Sequence, residues 1–331
     1  MTRPQSFYLQ LTLLSAFIAF SIGTIKAQEV FEDVYYEPAP IKYQGLDNSN
    51  TQALASKAFD YIKNLHNRNA QELFDSILIM DKNNVLGTYG LAYCKFADGD
   101  YENSIEILDP LINVNLQNAA LYSLRARNYM VLENLEKAIA DFQKAAELGT
   151  NENDLLSLSE CFFYSGDFNA SVAEADSFIK KQTQKPIGYF VKGMAKSGLK
   201  DYADAIEEFN KVIEINPKNS VAYYHISRNN MLMQDFNKAL KNINKAIKLD
   251  AENAEAFELR AEIKYNTNDY SNAIFDCNHL IEIDEASENT YLTRAKSYIK
   301  LGLKKEACAD LTKAKQLGSK DVEDLMVKHC K

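Results

Sequence analysis

The sequence predicts an all-α protein built as a linear stack of helix pairs, and three observations carry that expectation. The first is a period of 34 residues: "KDYADAIEEFNKVIEINPKN" at 200–219 is echoed by "QDFNKALKNINKAIKLDAEN" at 234–253 and "NDYSNAIFDCNHLIEIDEAS" at 268–287. A repeat of that length holds two short helices and their turns but no independent core, so its apolar face has to be covered by a neighbouring copy. The second is a register of small residues, Ala70, Ser104, Ala138, Ser171, Ala205, Ala239, Ala273 and Ala307, spaced 34 apart except for one gap of 33. The third is composition. Only 12 Gly and 6 Pro occur in 331 residues, and Ala, Leu, Ile, Lys, Glu and Asn dominate, which favours helix over sheet.

In chain order, "MTRPQSFYLQLTLLSAFIAFSIGTIKAQEV" places Arg3 before an apolar run from about Phe7 to Ile25, with the small residue Ala27 following. This is the order of a secretory signal peptide at 1–27, with cleavage expected after Ala27. The polar interruptions Gln10, Thr12, Ser15 and Ser21 weigh against the alternative, a retained membrane anchor. The mature chain is therefore expected to be exported, periplasmic or associated with the cell envelope, and not inserted in the membrane. Residues 28–50, with Pro38, Pro40 and Gly45 and no helical periodicity, read as an extended acidic lead-in.

The array proper is expected at 51–321, in eight units: 51–84, 85–118, 119–151, 152–185, 186–219, 220–253, 254–287 and 288–321. Twelve positions before the first small column lies a second, Ala58, Ala92, Ala126, Ser159, Gly193, Ser227, Ala261 and Ala295. One small residue in each helix of a pair is what close helix crossing requires. Four positions after the first column come Phe74, Leu108, Phe142, Ala175, Phe209, Ile243, Cys277 and Leu311. Three further on come Ile77, Leu111, Ala145, Phe178, Val212, Ala246, Leu280 and Ala314. Offsets of four and three put both sets on one stripe of the second helix. Between the helices, "GD", "KD", "QD" or "ND" makes the turn and caps the second helix. The aromatic after it (Tyr101, Phe168, Tyr202, Phe236 or Tyr270) fills the gap between helices. The last segment, at 322–331, is amphipathic and is expected to cap the exposed end of the stack.

On these columns the chain resembles the tetratricopeptide repeat (TPR) family. Tyr122, Tyr189, Tyr223, Phe257 and Tyr291 match the family's first aromatic, Tyr61, Tyr129 and Tyr298 its Tyr, and Pro217 its closing Pro, while its Gly column is mostly Ala or Ser here. The resemblance implies a right-handed superhelical solenoid in which the first helices line a concave groove. It places Tyr89, Tyr93, Phe96, Arg127, Met130, Glu160, Phe163, Phe190, Met194, Tyr224, Arg228, Met231, Glu258, Glu262 and Tyr265 in that groove as partner-binding residues. Aromatics, Met and isolated charges are what protein interfaces use. The implied function is a non-catalytic scaffold that binds a protein or peptide partner. The alternative is a glycan-binding or enzyme-accessory protein using the same aromatics, a reading weakened by the absence of Trp.

Three units carry Arg just before the small residue of the first helix (Arg125, Arg260 and Arg294) and Asp sixteen residues later (Asp141, Asp276 and Asp310); no other unit has either. These pairs are expected to be structural ion pairs between packed helices.

Little in the chain points to chemistry. His66, His225, His279 and His329 share no metal-binding spacing, and there is no H-E-x-x-H, G-x-S-x-G, glycine-rich phosphate loop or C-x-x-C. No enzyme activity, cofactor or metal is expected. A net charge of -9 argues against nucleic acid and against membrane surfaces. Lys238, Lys241, Lys245 and Lys248 form one stripe on a second helix and read as a solvated face, with a patch for an acidic partner as the alternative. Of the five cysteines, Cys94 and Cys161 share a column two units apart and are too distant to bond, and Cys277 belongs to the core stripe. Cys308 and Cys330 are expected to form a disulfide, two free thiols being the alternative.

Overall fold

The computed structural model describes residues 49–64, 66–149 and 152–330; the expected signal peptide and nearly all of the lead-in lie outside the described residues. Among the described residues there are seventeen helices and no strand. They form two compact units, which divide between Leu199 and Lys200.

The first unit contains α1 (Ser49–Lys63), α2 (Asn67–Met80), α3 (Val85–Ala97), α4 (Tyr101–Val114), α5 (Ala119–Val131), α6 (Leu135–Glu147), α7 (Glu152–Ser165), α8 (Phe168–Lys181) and α9 (Pro186–Gly198). The second contains α10 (Tyr202–Ile215), α11 (Ser220–Leu232), α12 (Phe236–Leu249), α13 (Ala254–Asn266), α14 (Tyr270–Glu282), α15 (Glu288–Lys300), α16 (Lys304–Gln316) and the short α17 (Glu323–His329). Within each unit every helix packs on the next, and first helices also touch the first helices of adjoining pairs, as α3 touches α1 and α5.

Helix starts follow the side-chain chemistry. Asn84, Asn118, Asn219 and Asn253 accept backbone N–H bonds at the start of first helices, and Asn134, Asp167 and Asp235 do the same for second helices. First helices end on a residue in the left-handed region at the same position in seven successive pairs: Gly99, Glu133, Gly166, Lys200, Gln234, Asn268 and Gly302, with φ between 58° and 84°. Glycine holds that conformation freely. Glu133, Lys200 and Gln234 hold it at a steric cost because the turn geometry is fixed by the pairs on either side.

The two small columns meet. All eight residues of the second-helix column have no exposed surface, from Ala70 to Ala307. Where a hydroxyl replaces a methyl it bonds across the crossing: Ser104 Oγ donates to the Ala92 carbonyl at 2.8 Å, Ser159 Oγ to that of Ser171 at 2.7 Å and Ser227 Oγ to that of Ala239 at 2.8 Å. Serine is tolerated there because its polar atom is satisfied at the point of closest approach.

The apolar stripe of the second helices fills the space between layers, and the place of its large side chain shifts in one unit. In α8 the first stripe position is only Ala175, and the ring appears one turn later as Phe178, which is 2% exposed. That ring lies over α9 where Gly188 stands; a Cβ there would come within 2.6 Å of it. At the other end, Val322 is fully buried against Leu292, Leu311 and Ala314, so α17 closes the last layer. A disulfide joins Cys308 of α16 to Cys330 beyond α17.

Candidate functional site

The first-helix positions expected to face a partner divide into two sets. Tyr89, Tyr93, Arg127, Met130, Glu160 and Phe190 are buried and offer almost no surface. The groove expectation is corrected at these six positions. Large side chains in the same column of consecutive first helices close on one another: Tyr93 meets Phe59, 34 residues earlier, with ring centroids 5.9 Å apart, and Phe59 also packs on Tyr89 at 6.2 Å. Met130 joins the core of Ala126, Phe142 and Leu158. Arg127 on α5 reaches Asp154 on α7 at 2.7 Å, with both side chains at least 97% removed from solvent. Glu160 is 5% exposed, and burial pushes its carboxyl up to about 8.

Phe96, Phe163 and Met194 in the first unit, and Tyr224, Arg228, Met231, Glu258, Glu262 and Tyr265 in the second, keep accessible surface. Phe163 rests edge-on against Tyr164 at 5.3 Å, and Phe96 against Tyr101 at 5.7 Å. The second unit brings its positions together electrostatically. Tyr224 on α11 is pushed up to about 12, chiefly by burial, while Arg228 opposes the shift and three glutamates of α13 add to it. One of the three, Glu255, escapes the sequence reading although it lies on the same stripe as Glu258 and Glu262, at offsets of three and seven. Burial and Glu258 raise Glu255 to about 7, against the pull of Arg228. Glu262 is also raised, by burial first, with Lys296 and Arg228 opposing. Glu258 accepts hydrogen bonds from Ser287 Oγ and, at 2.7 Å, from Thr290 Oγ1, and so joins α13 to the start of α15.

The three arginines sit at helix-pair junctions, on a different side from these residues. Arg125 donates to Asp141 through Nε at 2.7 Å and Nη2 at 2.9 Å. Arg260 reaches Asp276 at 2.9 and 2.8 Å, and Arg294 reaches Asp310 at 2.7 Å twice. Each also has a third bond that the sequence reading missed: Nη1 donates sixteen residues backward, to Asp109, Asn244 or Asn278, on the second helix of the preceding pair. Lys192 uses the same backward offset to reach Asp176 at 2.8 Å. The guanidinium carbons lie over aromatic rings of their own helix, Arg125 over Tyr122 and Tyr129 at 5.8 and 5.9 Å, and Arg294 over Tyr291 and Tyr298 at 5.7 and 5.8 Å. Each arginine thereby fastens three helices through one guanidinium.

A family model for the second ARM domain of tetratricopeptide repeat protein 21 matches residues 44–268, and a tetratricopeptide repeat model matches residues 288–318. The chain belongs to the tetratricopeptide repeat family. The TPR chain is 27% identical over 122 residues to the human mitochondrial import receptor subunit TOM70, a match that takes in 34% of this chain and 20% of that protein. It is 27% identical over 142 residues to chicken DnaJ homolog subfamily C member 3, covering 39% of this chain and 28% of the relative. It thus spans less than a third of the length of either curated relative. Among solved structures, the C-terminal part of a TPR repeat-containing protein from Cytophaga hutchinsonii superposes with a TM-score of 0.53 at 18% identity, over 82% of this chain and 98% of that one. The likeness is one of fold. A TPR array is a scaffold for protein interaction, and among the described residues no group of three or more His, Cys, Asp or Glu is placed to hold a metal ion.

Proposed function

We propose that this TPR chain is an exported, non-catalytic scaffold that holds a segment of a partner protein against the first helices of its second unit, α11 and α13. The observation that carries the reading is the accessible set there. Tyr224, Met231 and Tyr265 supply apolar surface, and Arg228 and Glu262 supply exposed charges of opposite sign on adjacent helices. That mixture suits a partner segment with alternating apolar and charged side chains. The buried positions in the first unit favour the second unit as the working surface, because Tyr89, Tyr93 and Arg127 are occupied in internal packing.

Export is supported by the order of residues 1–27 and by the Cys308–Cys330 disulfide, a bond that persists in oxidising compartments. If both thiols take up iodoacetamide without reductant in protein recovered from an envelope fraction, that part of the proposal fails.

The docking surface is tested by using the full chain as bait in envelope extract beside a charge-reversed variant, Arg228→Glu with Glu262→Arg. Both positions are exposed, so the variant is expected to fold, which circular dichroism checks. The expected result is a discrete protein retained by the chain and lost by the variant. Equal retention by both, or none by either, would remove α11 and α13 as the binding surface.

A further inference from the structure

The outer face of the second unit, formed by α12, α14 and α16, departs from the acidic character of the chain. Between Phe236 and Leu249 there is no acidic residue, while Lys238, Lys241, Lys245 and Lys248 are all exposed. Lysines three and four apart repel, which costs helix stability and brings no packing in return. None of the ion pairs among the described residues involves Lys241 or Lys248; Lys238 reaches Asp235 at 2.8 Å, and Lys245 stands over the Tyr223 ring at 5.9 Å. On α16, Lys305 and Lys313 are exposed as well, Lys313 in the same column as Lys245, 68 residues on. Against these six cations the three helices expose only Glu282 and Glu306. On α10, the positions equivalent to Lys241 and Lys248 are Glu207 and Glu214, so the cationic face has a defined edge.

Between the two lysine-bearing helices, in the column of Lys241, stands Phe275. It is 67% exposed and is the only aromatic among the exposed large hydrophobic side chains of the described residues. A ring left two-thirds exposed, on a helix flanked by the lysine-bearing helices, contributes little to the packing of α14.

We propose that this face is an adsorption surface for an anionic lipid bilayer, with the lysines against the headgroups and Phe275 entering the interface. Three features favour a bilayer over an acidic polypeptide. The cations lie on two helices, α12 and α16, with α14 between them, a spread that suits a broad sheet of charge. They are all Lys, point charges without the planar fork that singles out individual carboxylates. An isolated aromatic among lysines is the composition of interfacial segments. The net charge of -9 does not prevent adsorption, because charges beyond about 10 Å are largely screened at 0.1 M salt and the local patch decides.

The test is co-sedimentation of the full chain with vesicles of 30% phosphatidylglycerol in phosphatidylcholine, against pure phosphatidylcholine, at two salt concentrations. Comparisons are made between variants of one chain, so residues 1–48 contribute equally to each. Binding is expected to the anionic vesicles, weakening as salt rises. Lys241→Gln, Lys245→Gln and Lys248→Gln together are expected to reduce it ~100-fold, at roughly fivefold per lysine near an anionic surface. Phe275→Ser is expected to reduce it several-fold on both salts. All four positions are exposed, and unchanged helicity checks folding. Equal binding to the two vesicle types, or binding untouched by the lysine substitutions, overturns the proposal. So does lysine-dependent binding of an oligoglutamate peptide with vesicles ignored, which would assign the face to an acidic polypeptide.

Discussion

Removing the Asp276 carboxylate is the sharpest test of how the helix pairs are fastened. Asp276 has no exposed surface and accepts three charge-assisted bonds, from Arg260 Nε at 2.9 Å, Arg260 Nη2 at 2.8 Å and Lys264 Nζ at 2.7 Å. Both cations are 16% exposed, so water replaces the lost partner only in part. Taking one partner from a fully buried pair costs about 3–5 kcal/mol, and the partial exposure here brings the expectation for Asp276→Ala to about 2–3 kcal/mol. Arg260→Met leaves the carboxylate with Lys264 and is expected to cost less, about 1–2 kcal/mol. The informative quantity is the coupling. Urea titrations of the chain, the two single variants and the double variant, followed by circular dichroism, are expected to give a double-mutant cost at least ~1 kcal/mol below the sum of the singles. Additivity within about 0.5 kcal/mol would refute the idea that Arg260 and Asp276 act as one fastening, whatever the distances between them.

Three further outcomes follow from the geometry. Gln234 holds a φ of 62°, so Gln234→Gly is expected to stabilise the second unit by about 0.5–1 kcal/mol in the same titration, the relief of left-handed strain outweighing the added chain entropy. Replacing Cys308 and Cys330 by Ser opens a loop of 22 residues; hydrogen exchange across 304–330 is expected to speed up by an amount equivalent to about 3 kcal/mol, with little change on α11. Glu160 has a folded-state carboxyl raised to about 8, so its contribution to stability is greatest below the unfolded value near 4.5 and falls as pH rises between the two. Glu160→Gln is therefore expected to flatten the fall in stability from pH 5 to pH 8 and to leave the variant more stable at pH 8 by on the order of 2 kcal/mol; an unchanged pH profile would show that Glu160 does not titrate in that window.

Much of the fold is written in single positions of the sequence, because a repeat samples one geometry many times over. Small residues recur wherever two helices cross, and the chance of eight in register is slight. Arg and Asp at a separation of sixteen stand out for the same reason: three aligned units have both and the others have neither. The backward bonds to Asp109, Asn244 and Asn278 were hidden, because they join different repeats and the acceptor type varies between Asp and Asn. The first-helix face was legible only in outline. Tyr93, Arg127, Glu160, Met194, Arg228 and Glu262 occupy one column, yet the first three are buried, Met194 is half-buried, and the last two are exposed. Burial there depends on the size and charge of the residues one repeat away, which alignment of a repeat with itself does not reveal. Phe275 was likewise missed, because its column elsewhere holds Lys241 and Ala309, and an apolar residue on an outer face breaks the pattern instead of obeying it.

The fit of Phe178 to Gly188 sets a limit on how this array can be rebuilt. Solenoids lengthen and shorten by gaining or losing whole units, an operation that assumes each copy can face any other. Here the ring that three other units carry at one stripe position, as Phe74, Phe142 and Phe209, stands a turn further along α8, and its space comes from a missing Cβ on the next helix, where a methyl group would lie 2.6 Å from the ring. The two repeats therefore work as a lock and its key. A duplication that copied either alone would set Phe178 against an occupied position or leave Gly188 facing a void, so shuffling of units, by evolution or by a protein engineer, has to carry α8 and α9 together.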